Sequence, residues 1–331
     1  MKNNGYKEEK KSFKEEMLEL ILEGLEKDGI HFVKTWSTYL GAPEGYVSQS
    51  KYTGMNALKL TIETNQRHYT DNRWLTFNQI KENNFHLEKG SKGVRIQFTM
   101  PYDEKTHKII TWKEYEKLTS DMDLAEKQSR FSVRNRHYVV FNASNVVGIE
   151  PKKHININNI QKEELVERIS SFINVPIKEG GNKAAYVPSM DYIKMPPKEH
   201  FVSQGSYAAV CLHELGHATG HESRLDRKIA NSFGTKDYAK EELVAELTSC
   251  FLSEYIQETL DDEILENHQG YVKSWIKGIQ DDPDYFKEAL KDAIKATQYI
   301  EEHAHLQEWK KEQEQNLEQE ALTVEDDEFE F

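Results

Sequence analysis

No stretch of this chain is apolar for long enough to cross a bilayer. A membrane helix needs about 18 or more consecutive apolar residues, and nothing in the sequence approaches that. The opening residues, MKNNGYKEEKKSFKEEM, lack the apolar core of a secretory signal. Cysteine is scarce: Cys211 and Cys250 belong to no C-x-x-C pair, which argues against a disulfide-stapled scaffold. Both thiols are expected to be reduced, small and buried, in a cytoplasmic protein with no membrane partner. No internal repeat is visible.

What the chain has in quantity is charge. Of its 331 residues 30% are charged and 37% hydrophobic, which suits two globular domains with a surface rich in Lys and Glu. The net charge of −14 is unevenly placed. Residues 1–150 carry 23 Lys and Arg against 21 Asp and Glu, whereas residues 151–331 carry 20 against 36. Only the first half has the electrostatic character to meet nucleic acid. The acidic end, residues 321–331, is expected to be a disordered tail.

The chemistry concentrates in His213-Glu214-Leu215-Gly216-His217, which fits H-E-x-x-H. Histidines four apart on a helix share a face, so both imidazoles reach one metal ion. Glu214 then falls where a general base for water would stand, the arrangement of a zinc-dependent peptidase. The preceding residues 206–212 (SYAAVCL) are helix-compatible, and Gly220 is a stop signal. A metzincin spacing would put the third histidine at position 223, which is Ser223. The remaining candidates for a third ligand are His221 and the run EELVAE at 241–246. That run opens an amphipathic helix with Leu243, Leu247, Phe251 and Tyr255 at four-residue steps. Glu242 and Glu246 share a face there. We expect Glu242 to bind Zn2+ (one per chain, another divalent ion being the alternative) and Glu246 to hydrogen-bond a ligand histidine. The competing reading is a charged helix N-terminus with no metal role. Tyr238, His221 and Arg224 are candidates to stabilise an oxyanion, or simply to pack the loop.

In chain order, Ser12 with Glu15 makes a capping box opening a helix that Gly29 ends. A turn-rich stretch follows, with a short helix carrying Leu58, Leu60 and Ile62, and another beginning at Thr76. Strands are predicted at 94–98 and 138–141, separated by a polar insertion at 102–135 with a helical piece near Trp112. This is a small α+β domain, 1–150. Its bases are interleaved with aromatics: Lys51 beside Tyr52, Arg73 beside Trp74, with Trp36 and Asn56 nearby. Lys89 and Lys92 sit on a glycine turn. The mixture suits single-stranded DNA, with core packing the competing reading for each tryptophan. After a linker at 151–154, a helix is predicted at 161–173, strands at 184–186 and 192–195, and helices near 271–279 and from 283 to about 309. The strand pair directly before the motif helix is placed to receive an extended peptide by β-addition. The second domain, 151–320, is therefore mostly helical with a short β-sheet, and the chain is of the α+β class.

Taken together these motifs resemble the ArdC-type antirestriction proteins of conjugative plasmids, phages and other mobile elements. The resemblance spans most of residues 10–258. It rests, in order, on Trp36, the Y-x-G-x-N of Tyr52 to Asn56, Trp74-Leu75-Thr76, the Lys89-to-Gly93 turn, Phe141-Asn142, Tyr186-Val187-Pro188, residues 191–196 (DYIKMP), the HELGH motif, Gly220, Arg224-Leu225 and EELVAE. It implies an N-terminal single-stranded-DNA-binding domain and a C-terminal zincin-like metallopeptidase domain. By similarity His213, His217 and Glu242 bind the metal and Glu214 is the general base. The implied role is protection of incoming single-stranded DNA from host restriction, with a host protein as a further candidate partner, the substrate of the peptidase domain. Two other readings compete: a pure DNA-coating protein with a structural metal, and an ImmA/IrrE-like regulatory metalloprotease that cleaves a repressor.

Overall fold

Ser12 opens helix α1 (Phe13–Asp28) as its spacing to Glu15 predicts. Its hydroxyl accepts from the Glu15 N–H, and the Glu15 carboxylate accepts from the Ser12 N–H at 2.7 Å. The helix buries Phe13, Met17, Ile21 and Leu25 and stops at Gly29, whose φ of 59° suits glycine. A 3-10 segment, Gly29–Trp36, then buries Ile30, Phe32, Val33 and Trp36. The two-residue strand β1 (Glu44–Gly45) bridges to Lys51, and α2 (Gly54–Gln66) buries Leu58 and Ile62. The structure, a computed structural model, describes residues 11–152, 158–229, 234–257 and 262–327.

Residues 73–149 form a compact unit of their own. In order they supply β2 (Arg73–Thr76), α3 (Phe77–Glu82), β3 (His86–Leu87), β4 (Val94–Asp103), β5 (Lys108–Ile109), α4 (Trp112–Thr119), α5 (Leu124–Arg130), β6 (Phe131–Asn142) and β7 (Val146–Val147). Within the unit β2, β6, β4 and β5 lie side by side, each antiparallel to its neighbour. The register of β4 on β6 runs unbroken from Val94↔Val140 to Asp103↔Phe131. Both strands therefore continue into the expected insertion at 102–135, and the excursion is confined to residues 104–130. Asp103 and Arg130 close its base at 2.8 Å. The sequence hid these strand extensions because residues 133–139 are exposed, so no apolar alternation marks them.

The second compact unit joins residues 1–72 to residues 150–331. Its later part contains α6 (Asn159–Phe172), β8 (Ile177–Glu179), β9 (Ala185–Val187), β10 (Tyr192–Met195), α7 (Gln204–Ala218), α8 (Lys236–Ile256), α9 (Asp262–Asp281), α10 (Tyr285–His303) and α11 (Leu306–Asp327). Strand β10 is central, parallel to β8 and antiparallel to β9; β8 was not foreseen. One apolar cluster takes in Met17, Ile21 and Trp36 with Leu212, Leu243, Trp275 and Phe286. The packing boundary thus differs from the expected division into 1–150 and 151–320: the first 72 residues complete the core of the C-terminal helices. The single long helix expected from residue 283 is broken at His305, which has φ 50°. The expected disorder past residue 320 gives way to helical backbone through Asp327, in keeping with the helix propensity of its Glu, Gln, Leu and Ala. Residues 328–331 of that tail lie outside the described residues. Among the described residues no helix is long and apolar enough to cross a membrane.

Candidate metal centre

Helix α7 starts at Ser203, whose hydroxyl accepts from the Ser206 N–H at 3.0 Å, and is buried along most of its length. It crosses α8 closely because Gly216 has no side chain. A Cβ there would stand 3.1 Å from the Ala245 Cα and 3.3 Å from the Ala245 carbonyl oxygen. The crossing sets two histidines of one helix against a carboxylate of the other. His213 Nε2 lies 3.6 Å and His217 Nε2 3.8 Å from the two oxygens of Glu242. One donor atom from each of the three residues falls within 4.8 Å of the others.

The opposite ring nitrogens are held as well. His213 Nδ1 is 3.2 Å from Glu246 Oε2, and His217 Nδ1 is 3.4 Å from Glu241 Oε1. With a proton on Nδ1, His217 donates to Glu241 and His213 faces Glu246 within ion-pair distance, which leaves both Nε2 atoms directed toward Glu242. Glu241 is fixed in turn by Arg227, whose Nη2 and Nε donate to it at 2.7 and 3.1 Å. Arg227 also donates to the Thr219 hydroxyl and the Gly216 carbonyl, tying α8 to the end of α7.

Two imidazoles, each faced from behind by a second carboxylate, and the Glu242 carboxylate form a donor set that fits a divalent ion of the zinc type and leave a coordination position open. The electrostatics agree. Burial alone would lower both histidines, but the adjoining carboxylates outweigh it. Glu242 and Glu246 hold His213 well above the usual imidazole range, and Glu241 and Glu242 push His217 up to about 9. Burial alone would raise Glu242, yet the same histidines hold it well below the usual carboxylate range. Without metal the cluster keeps protons that a cation would displace.

Glu214, the motif's acid, accepts the backbone N–H of Tyr186 at 2.6 Å. Tyr186 belongs to β9, so the strand beside the cavity also positions the carboxylate. The cavity measures about 540 Å³, and its lining includes Tyr186, His213, Glu214, His217, Glu242, Tyr238 and Tyr271. The Tyr238 hydroxyl lies 3.3 Å from that of Tyr271, and burial raises both phenols, which keeps them protonated donors.

Of the oxyanion candidates only Tyr238 reaches this cavity. Arg224 instead pairs with Asp191 and donates to the Tyr186 hydroxyl, while His221 Nδ1 lies 2.8 Å from the Ser223 hydroxyl and 3.9 Å from Asp191. Both brace the turn between β9 and β10, where Asp191 takes φ 50°. The expected nucleic-acid residues differ in exposure. Trp36 and Trp74 are 0% and 1% exposed and Asn56 is buried, so none offers a face for a base. Lys51 pairs with the buried Glu254 at 3.0 Å, Tyr52 and Arg73 are half-buried, and Lys89 and Lys92 are exposed. Sequence reasoning missed Glu241, Arg227, Tyr271 and the Tyr186 N–H. Only Glu241, the first of an adjacent acid pair, carried a local signal.

Comparison with known families matches residues 164–292 to a zincin-like metallopeptidase domain and residues 11–141 to the N-terminal domain of anti-restriction factor ArdC. The class is thus a zincin-like domain joined to an ArdC-type N-terminal domain. Crystal structures of the antirestriction ArdC protein from the R388 plasmid are similar throughout. The metal-free form has a TM-score of 0.68 at 26% identity and the Mn(II)-bound form 0.67 at 27%, each covering 89% of this chain and 98% of that one. The uncharacterized protein y4eC of Sinorhizobium fredii is 30% identical over 80% of this chain and 81% of its own length. A DNA primase TraC of Escherichia coli is 32% identical over 88% of this chain, which spans only 27% of that primase. The chain belongs to the ArdC-type antirestriction family.

Proposed function

We propose that the chain protects entering DNA by two activities: it binds single-stranded DNA, and it hydrolyses a peptide bond at a zinc centre held by His213, His217 and Glu242. The observation that carries the second activity is the convergence of those three donors beside Glu214 on one cavity. That a relative of similar structure is Mn(II)-bound supports a divalent ion in this chain. When bound, the ion supplies Lewis acidity, polarising a carbonyl and lowering the pKa of water.

The chain's own residues do the rest. Glu246 and Glu241 hold the two imidazoles in the tautomer that presents Nε2. Glu214 takes the proton of the attacking water at a carboxylate oxygen and delivers it to the departing amine nitrogen. The Tyr186 N–H fixes the direction of that carboxylate. Tyr238 and Tyr271 present O–H donors to the cavity, where charge develops on the carbonyl oxygen. Strand β9 is the edge of its sheet, suited to pair with an extended peptide. Support for the DNA activity comes from the N-terminal family match and from the charge of residues 73–149, which carry 13 Lys and Arg against 9 Asp and Glu in a chain of net −14.

The test is DNA transfer into a restricting host with wild type or Glu214→Gln, both shown to hold metal. Loss of protection with single-strand binding intact supports the reading. Full protection by Glu214→Gln would remove proteolysis from the antirestriction role.

A further inference from the structure

Hairpin β4–β6 changes character along its length. Strand periodicity places Val94, Ile96, Phe98, Met100 and Tyr102 on one face, opposite Val140, Tyr138, Arg136, Arg134 and Ser132. At one end Val94, Ile96 and Val140 are buried in the unit's core. Farther out the same face opens. Phe98 and Tyr138 are 39% and 38% exposed, and Arg136 and Arg134 are exposed beside them. The Phe98 and Tyr138 rings meet edge to face at 5.7 Å, and the Arg134 guanidinium lies 4.8 Å from the Tyr102 ring centroid. Arg136 stands between the two groups, about 7 Å along the strand from either Tyr138 or Arg134.

The charge of this face is one-sided. Residues 89–102 and 131–149 contain no carboxylate. Arg134 reaches Glu104 at 3.4 Å, in an exposed pair. Arg136 pairs with no carboxylate among the described residues. Cationic side chains alternating with exposed aromatic rings on an open sheet face suit an anion that also offers flat apolar faces. Duplex DNA hides those faces in its stack, whereas a single strand presents them.

We infer that the outer face of this hairpin, carrying Phe98, Tyr138, Arg136 and Arg134, is where the chain contacts single-stranded DNA. Bases stack on Phe98 and Tyr138, and phosphates lie along Arg136 and Arg134. The inference rests on the DNA-binding reading above and moves the contact away from the buried Trp36 and Trp74. Binding is sequence-tolerant, because every base has a face to stack.

The test is fluorescence anisotropy of labelled oligothymidylate with the full metal-loaded chain, using wild type, Phe98→Ala, Tyr138→Ala, Arg136→Gln and, as a control, Lys311→Gln on the exposed surface of α11. Each aromatic truncation is expected to weaken binding about 5- to 100-fold. Arg136→Gln is expected to reduce the slope of log affinity against log salt by about 0.7. Lys311→Gln leaves both unchanged. Thermal melts check folding, and Arg136→Gln, at an exposed position, keeps the test decisive should an aromatic variant melt early. If wild type binds and all three hairpin variants stay within about two-fold of it with the same salt slope, this face is not the contact and the DNA reading survives. If wild type shows no preference for the single strand over duplex competitor at low salt, the underlying reading fails and this inference with it.

Discussion

Trp36→Ala separates a core residue from a base-stacking one. Trp36 is 0% exposed, with Phe32 and Phe286 edge-on at ring distances of 6.0 Å each. A tryptophan of this kind buries about 200 Å², which at about 25 cal/mol per Å² corresponds to roughly 5 kcal/mol as an upper value. Measured losses for such truncations centre on about 3–5 kcal/mol. For a unit of this size that lowers Tm by about 6–20 °C. Near-ultraviolet circular dichroism on heating reads the stability, and anisotropy at a temperature where both proteins are folded reads single-strand affinity. The structure predicts a large drop in Tm and an affinity within about two-fold of wild type. An unchanged Tm with affinity reduced about tenfold or more would refute the packing of residues 1–72 into the core of the C-terminal helices.

Two further predictions concern carboxylates. Glu241→Gln leaves the three donors in place but weakens the acceptor for His217 Nδ1 and the grip of Arg227, so zinc affinity measured by chelator competition should fall about 10- to 100-fold. Glu254 accepts from the Ala42 N–H at 3.1 Å and from Lys51 at 3.0 Å, with the Lys310 ammonium 3.5 Å away. Burial alone would raise its pKa, but Lys310 and Lys51 hold it below the ordinary 4.5. Its folded value lies under its unfolded one, so its contribution is full above about pH 4.5 and is lost as pH falls through the folded value. Glu254→Gln should therefore cost about 1–3 kcal/mol at neutral pH, and denaturant titrations should show that gap to wild type narrowing below pH 4.5. A gap of constant size across that range would contradict the assignment.

The parts of the molecule legible in the sequence are those whose cause is local. The four-residue steps of His213 to His217 and Glu242 to Glu246 placed the donors and the His213-facing carboxylate, because helix geometry alone decides which side chains share a face. The capping box of Ser12 and Glu15 fixed the start of α1 for the same reason. What stayed hidden depends on residues far apart in the chain. Arg227 matters through Glu241 and through the end of α7, and Tyr271 reaches the cavity from α9. Glu214 is positioned by a backbone amide 28 residues earlier, which no side-chain pattern records. Trp36 and Trp74 resembled stacking residues because Arg73 precedes Trp74 and a turn-rich stretch follows Trp36, but composition cannot tell a face turned outward from one turned in.

The proposed chemistry depends on a metal ion held by His213, His217 and Glu242. The most direct measurement is crystallography of the zinc-soaked full chain with data on both sides of the zinc absorption edge. One strong anomalous peak is expected about 2.0–2.1 Å from Nε2 of each histidine and about 2.0–2.2 Å from a Glu242 oxygen. No peak there at saturating zinc, or an ion held by other residues, would contradict it.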